Sequence, residues 1–372
     1  MHRLQFHYTL SKVTSPQNIN QRVRNPLIDL LQAVSTQGSI SAGARLLGLS
    51  YRHVWGELKR WETELGGELL IWEKGQSARL SEFGSKLMWA ERQAQARLAP
   101  QIEALRAELE RSFAVAFDEA SHVVALYASH DDALSQLREI ALPHLHLDIR
   151  FTGSVDAIRA LNEGRCVMAG FHTLENIGHI GKGTLTERIY KPLLKPGLHK
   201  IIGFANRTQG LIVAPGNPLK VTGLADLTQP RAGKPIRFAN RALGTGTRVV
   251  LDELLAAAKL SASDITGYDH TEPSHTAVAH AVLSGQTDAG LGIEAAAVQA
   301  GLDFVPLAQE NYHLVCLKSA LVQPSIIALQ ALLKTPQWQK TMASIPGYTA
   351  LNSGEVLSLR KVLPWWDLPD KR

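Results

Sequence analysis

From Val123 onward the chain alternates strand-like and helix-like segments three times: VVALYA precedes SHDDALSQLREIA, LDIRF precedes TGSVDAIRALNEG, and PIRFAN precedes RALGTGTRVVLDELLAAA. This alternation constrains the fold more than any other feature. A strand that returns beside its predecessor after a helix lies parallel to it, so a parallel α/β sheet is expected. Each of these strands ends in Ser, Thr, Gly or Asn where a helix begins, and ligands of open α/β sheets sit at such carboxyl ends. Three helix N-termini are therefore expected to converge on one anion.

The richest of these turns is RFANRALGTGTR, residues 237–248, which places Asn240, Arg241, Thr245, Gly246, Thr247 and Arg248 at one strand-to-helix junction. The first turn of a helix has backbone N–H groups without intrahelical partners, and its dipole favours negative charge. The alternative reading is an N-cap with glycines for a tight turn. A Walker A loop is excluded, because its Lys is absent. The two halves of the region also echo each other. DAIRALNEGRCVMAGFH and TAVAHAVLSGQTDAGLGI share a helix, a glycine (Gly164 and Gly285) and an Ala-Gly strand, which suggests two similar lobes. APGNPLKVTGLADLTQP between them reads as the loop that introduces the second lobe.

The first segment follows a different pattern. In NPLIDLLQAVSTQGSISAGARLLGLSYRHVWGELKRW, Leu27, Leu30, Leu31 and Val34 recur at helical spacing, Gly38 stops a first helix, and Ser39 or Ser41 caps a second. Gly48 makes a turn and Ser50 caps a third helix, which presents Tyr51, Arg52, His53 and Lys59 outward while Val54, Leu58 and Trp61 are buried. This is helix-turn-helix logic, with polar side chains free for base edges and phosphates. LLIWEKGQSARLSEFG behind it reads as a hairpin wing, in which Lys74 and Arg79 reach phosphates. An ordinary small bundle is the other reading of the three helices.

Between the two regions, SKLMWAERQAQARLAPQIEALRAELERSFAVAF carries Leu98, Ile102, Leu105 and Leu109 at heptad-like spacing, with Pro100 expected to kink or restart the helix. A dimer helix pairing two heads is expected, with packing on its own domain as the alternative.

QGSISAGARLLGLSYRHVWGELKRWE, the wing and LSEFG resemble the winged N-terminal domain of ModE-type molybdate-responsive and LysR-type transcription regulators over about residues 25–90. The resemblance implies that Ser50, Tyr51, Arg52 and Trp55 belong to the recognition helix. Residues 122–345, through ASHD, FTGS, MAGFH, NR-x-x-GTGTR, YDHTEPSH and DAGLGI, resemble type 2 periplasmic-binding-protein domains of the cytoplasmic kind fused to ModE-like heads and related to molybdate- and tungstate-binding proteins. That likeness implies that Ser129, His130, Thr152, Gly153, Ser154, Thr245, Gly246 and Thr247 line an oxyanion cleft, where hydroxyls and backbone N–H groups donate to the ligand. Arg248 supplies compensating charge or forms a helix-side salt bridge. His172 faces the cleft or is a satisfied core residue. Tyr268 and Glu272 are candidates for latching the lobes.

Val167, where the second-lobe repeat has Asp288, departs from the pattern and puts a structural contact in doubt. The expected architecture is multidomain: an all-α winged helix-turn-helix head (1–90), a helical linker (91–118) and a two-lobed α/β periplasmic-binding-protein-like domain (119–372).

Composition bears on the rest. Charged residues are 20% and apolar ones 45%, ordinary for globular chains, and the net charge of +5 permits nucleic-acid binding without requiring it. MHRLQFHYTLSKVTSPQNINQR has no apolar h-region and no run of 18 apolar residues exists, so a cytoplasmic protein without membrane attachment is expected. Cys166 and Cys316 read as separate buried thiols, no histidine spacing points to a metal site, and no nucleophile elbow is present. No cofactor or catalysis is expected. The reading is a homodimeric one-component regulator that binds an operator in double-stranded DNA and senses an oxyanion, molybdate or tungstate. A LysR-like sensor of a small organic acid is the alternative, and a two-lobed enzyme or solute-binding protein is less favoured. The paucity of apolar side chains near the three turns favours the inorganic anion.

Overall fold

The computed structural model describes residues 25–71, 78–116, 122–142, 145–175, 181–231 and 233–366. Two units divide between Ala99 and Pro100. In the first, α1 (Pro26–Gln37) is capped by Asn25, α2 (Ile40–Leu46) by Ser39, and α3 (Tyr51–Leu65) by Ser50, whose hydroxyl accepts from the His53 N–H at 3.1 Å. Leu27, Leu31, Val34, Ile40, Val54 and Leu58 form their shared core. Strands β1 (Leu70–Ile71) and β2 (Arg79–Leu80) pair antiparallel as the wing. Lys74 lies outside the described residues, as does the strand-like HRLQFHYTL segment.

Helix α4 runs from Glu82 to Ala116, starting before the expected linker start at 91, and it carries on through Pro100, where a kink or a restart was expected, without a restart. A mid-helix proline costs about 3 kcal/mol, and Pro100 is buried. Of the heptad-like positions, Leu105 stays 58% exposed.

In the second unit, β3 (His122–Ala128), α5 (Asp132–Ala141), β4 (Leu145–Phe151), α6 (Ser154–Asn162), β5 (Met168–Leu174) and α7 (Leu185–Tyr190) belong to one lobe. The other contains β7 (Phe238–Arg241), α8 (Gly246–Ala257), β8 (Thr271–Glu272), α9 (His275–Leu283), β9 (Ala289–Ile293) and α10 (Glu294–Ala300). Two long strands, β6 (His199–Val213) and β10 (Asp303–Leu317), serve both, in the order β4-β3-β5-β10-β6-β9-β7-β8. The echo seen in sequence is structural. Helices α6 and α9 each end in a glycine of positive φ, Gly164 at 73° and Gly285 at 71°, before a strand of the sheet. Asp288 receives Arg237 at 2.7 Å, whereas Val167 packs among apolar side chains.

The strands of the three strand-helix units pair in parallel, β3 with β4 and β5 and β7 with β8 and β9. Strands β6 and β10 add an antiparallel part that the sequence did not reveal. They are antiparallel to each other and to their neighbours β9 and β5, because they are the two chain segments that cross from lobe to lobe. Helices α11 (Pro324–Leu333) and α12 (Pro336–Ala343) and the short strands β11 (Tyr348–Ala350) and β12 (Val356–Ser358), which add to β6, complete the first lobe. Trp365 packs there with Leu357, Leu359 and Leu363. Among the described residues no helix is long and apolar enough to cross a membrane.

Candidate functional site

The lobes exchange strands at one place, and the candidate site is built there. Pairing of β10 with β5 begins at Glu310, pairing of β6 with β9 begins at Gln209, and Arg207 lies directly opposite Glu310 in the register. Arg207 is fully buried and spends its guanidinium on this junction. Nε donates to Glu310 and Nη1 to Asp131, while Nη1 also reaches the Tyr348 hydroxyl at 3.2 Å and Nη2 lies 3.2 Å from His172 Nδ1. The Tyr348 hydroxyl in turn donates to Asp131 at 2.6 Å. Burial opposes the Arg207 charge, but Glu310, Tyr348 and Asp131 outweigh it and raise its pKa. Burial alone would raise the Glu310 carboxyl too; Arg207 and then His172 bring it down to about 2. Gln209 Nε2 donates to Glu310 at 3.0 Å and to Thr247 Oγ1 at 3.2 Å, which carries the network into the second lobe.

His172 is fully buried between the Tyr312 ring, 4.0 Å away between centroids, and Gly246. Burial and then Arg207 lower its pKa, so the ring is neutral. Nδ1 faces both Arg207 Nη2 at 3.2 Å and Glu310 Oε1 at 3.4 Å, and Nε2 is buried without a partner. His275, on α9, is likewise held neutral, by burial and then Arg241, and its Nε2 lies 3.5 Å from Thr247 Oγ1.

Arg241, at the end of β7, is the outlier. It is 2% exposed, its Nε and Nη1 have no hydrogen-bond partner, and among the described residues no carboxylate makes an ion pair with it. Burial, followed by repulsion from Arg207, pulls its pKa down to about 9, which leaves it charged at neutral pH. Asp131 and Glu272 pull the other way without reaching ion-pair distance, and a buried charge without a close partner is among the most costly groups a fold can hold. Other buried polar atoms of the cleft without a partner are the hydroxyls of Ser129, Ser154 and Tyr312, together with the acceptors Gln209 Oε1 and Glu310 Oε2.

The other residues singled out in the sequence fall into place around this cluster. Thr152, Gly153 and Ser154 form the turn into α6, and Gly153 comes so close to the second lobe that a Cβ on it would lie 2.6 Å from the Gly244 oxygen. A Cβ on Gly246 would collide with the His172 ring. These two close approaches are where lobe meets lobe. Thr245 caps α8 by accepting from the Arg248 N–H at 3.3 Å, and Thr247 is in its first turn. Asn240 is turned inward on its own strand, donating to the Tyr268 oxygen at 3.0 Å and accepting from Arg241 N–H at 2.8 Å.

Arg248 takes the helix-side alternative. It lies 3.2 Å from Asp252 and 3.9 Å over the Tyr268 ring, whose hydroxyl also donates to Asp252. Tyr268 thus braces its own lobe, and Glu272 is buried with His270 at 3.3 Å. His130 faces Glu103 of α4 at 3.3 Å.

Sequence reasoning missed Arg207, Gln209, Glu310, Tyr312 and Tyr348, and used Asp131 and His275 only as letters in motifs. Among the described residues no group of histidine, cysteine or carboxylate side chains is arranged to hold a metal ion. In the head, Tyr51, Arg52, His53 and Lys59 are exposed on α3 and Trp55 is half-buried, stacked on Tyr51 at 6.4 Å. Lys59 pairs with Glu62 at 2.7 Å, and Arg79 is exposed on the wing.

Residues 136–334, more than half of the chain, match the family described as PBP superfamily domain. The chain belongs to the PBP superfamily. Residues 27–85 match the bacterial regulatory helix-turn-helix protein of the lysR family. A LysR-family head ahead of a PBP domain makes this chain a LysR-type transcriptional regulator. The Bacillus subtilis (strain 168) protein YvgK is 30% identical over 226 residues, covering 61% of this chain and 70% of that one. Among solved structures, full-length BenM matches 85% of this chain and 96% of its own at 15% identity and a TM-score of 0.40. A putative phosphate ABC transporter substrate-binding protein from Clostridium perfringens, with bound phosphate, matches 62% of this PBP-superfamily chain and 100% of its own at 15% identity and a TM-score of 0.46.

Proposed function

We propose that this LysR-type regulator is a cytoplasmic, homodimeric, one-component switch whose head binds an operator and whose cleft senses a small oxyanion, molybdate or tungstate. The observation that carries the reading is Arg241: a buried guanidinium without a close ion-pair partner, at the end of a strand whose lobe meets the turn that carries the unpartnered hydroxyl of Ser154. An oxyanion accepts from guanidinium and hydroxyl donors and supplies a counter-charge in direct contact. A small ligand is favoured over an organic acid because the lobes already touch at Gly153 and Gly246. The dimer reading is supported by Leu105, which α4 leaves exposed on its heptad-like seam. The anion shifts DNA affinity by as much as it favours one lobe arrangement over the other.

Isothermal titration of the full chain with molybdate, tungstate and sulfate tests the proposal. Binding of the first two, rejection of sulfate and loss of binding in Arg241→Met are expected. Absence of binding by all three overturns the oxyanion reading.

A further inference from the structure

From Pro100 on, α4 lies within the PBP unit, and Glu103 is its point of attachment. The Glu103 carboxylate lies 3.3 Å from His130 Nε2, its backbone oxygen accepts from Arg138 Nη1 at 3.2 Å, and Arg138 Nη2 stands 3.6 Å from Glu103 Oε1. Three residues on, Arg106 donates to Glu139 at 3.0 Å. None of the groups around Glu103 is at the open surface: Arg138 is 2% exposed, and the side chains of His130 and Glu103 are 10% and 15% exposed. Although burial works to raise the Glu103 carboxyl, His130 and Arg138 bring its pKa below the ordinary range.

What matters is where the other ends are fixed. His130 stands between Ser129, whose hydroxyl is unpartnered in the cleft, and Asp131, which holds Arg207 and Tyr348. Asp131 also caps α5 by accepting from Ala133 N–H at 2.9 Å, and Arg138 and Glu139 belong to that same helix. The turn at 129–131 runs straight into α5, and Glu103 and Arg106 fasten α4 to both ends of that unit. A single contact would be ordinary packing; two attachments to the body that carries the cleft residues make a lever.

We infer that Glu103, through His130 and Arg138, is the residue that couples occupancy of the cleft to the connecting helix. The inference rests on the oxyanion reading of the cleft. Spatial succession alone does not establish coupling, so the test reads coupling itself.

Amide hydrogen exchange is followed on the full chain, wild type, Glu103→Ala and Glu103→Gln, with and without saturating molybdate and, in a second series, tungstate. In the wild type the anion slows exchange both at 129–141 and at 100–112. In Glu103→Ala the protection at 129–141 and the anion affinity persist while the response at 100–112 is lost, and Glu103→Gln, which keeps an acceptor for His130, restores it. A helix that responds in Glu103→Ala as it does in the wild type overturns the inference.

If neither anion changes exchange anywhere, the oxyanion reading has failed, and the coupling is judged without ligand. Asp131→Asn, or the milder Tyr348→Phe, then perturbs the cleft from within. Faster exchange at 100–112 in the wild-type background but not in the Glu103→Ala background supports the coupling, and an equal response in both refutes it.

Discussion

Replacing Arg241 with methionine should make the protein more stable, not less. The drop in its pKa from the ordinary arginine range to about 9 means that the fold disfavours the charged guanidinium by about 5 kcal/mol, at about 1.4 kcal/mol for each pH unit. This is an upper bound, because the fold relaxes around a substitution and loses the packing of the arginine stem. Apolar replacement of buried charged groups is often neutral or stabilising by about 1–4 kcal/mol, and that is the gain expected for Arg241→Met in the absence of anion.

The sign follows from linkage. Above about pH 9 the folded chain begins to shed the Arg241 proton while the unfolded chain keeps it to a much higher pH, so the cost is fully present at neutral pH and fades as pH rises beyond about 9. In calorimetry at neutral pH the melting temperature of the larger unit should rise by several degrees, since each kcal/mol moves a domain of this size by about 2–4 °C. The same variant should lose the stabilisation that a bound anion confers, which is about 2.7 kcal/mol at a ligand concentration of about 100 times Kd. A variant that melts lower than the wild type in the absence of anion would show that the Arg241 charge is already compensated, and would remove the main support for an anion site.

Further outcomes are expected. Gly246→Ala places a methyl group in the His172 ring; overpacking of this kind costs about 1–3 kcal/mol, so titration should show anion affinity falling about tenfold or more while circular dichroism is unchanged. Arg52→Ala, on the exposed face of α3, should weaken operator binding in a mobility-shift assay by about 1–3 kcal/mol and leave anion affinity untouched; unchanged DNA binding would remove Arg52 from the recognition surface. His172, His275 and His313 are all held below the ordinary 6.5 by burial, His313 at about 3. Below pH 6.5 the unfolded chain takes up protons that the folded chain refuses, so stability should fall with pH by up to about 1.4 kcal/mol per histidine for each pH unit; a melting temperature that is flat between about pH 6.5 and pH 5 would contradict this.

The head and the repeated strand-helix units were legible because their signals are local: caps such as Ser39 and Ser50 and apolar spacing lie within a few residues of each other. Ser129, Ser154, Arg241 and Thr247 were legible as strand ends followed by helices. The rest of the cleft was not, because it depends on contacts distant in sequence. Arg207 meets Asp131 across 76 positions and Glu310 across 103. Each sits in a strand whose local pattern, HKIIGFANRTQGLIV or DFVPLAQENYHLVCL, shows only an apolar run interrupted by charge. That interruption was the available signal: a charge at the middle of a buried strand requires a partner in another. Arg248 illustrates the converse, since the turn that offers it to an anion also puts Asp252 four residues away on the same helix.

The two crossing strands also limit how this gene can be divided. The second lobe borrows the end of β6 and the start of β10, and the first lobe uses the remainder of both. Cutting the chain in the 214–218 turn would leave each fragment with a bare sheet edge, and such edges recruit other chains. The lobes resemble each other, but each depends on strands the other also uses, so truncated versions made to simplify the sensor should precipitate unless both fragments are produced together.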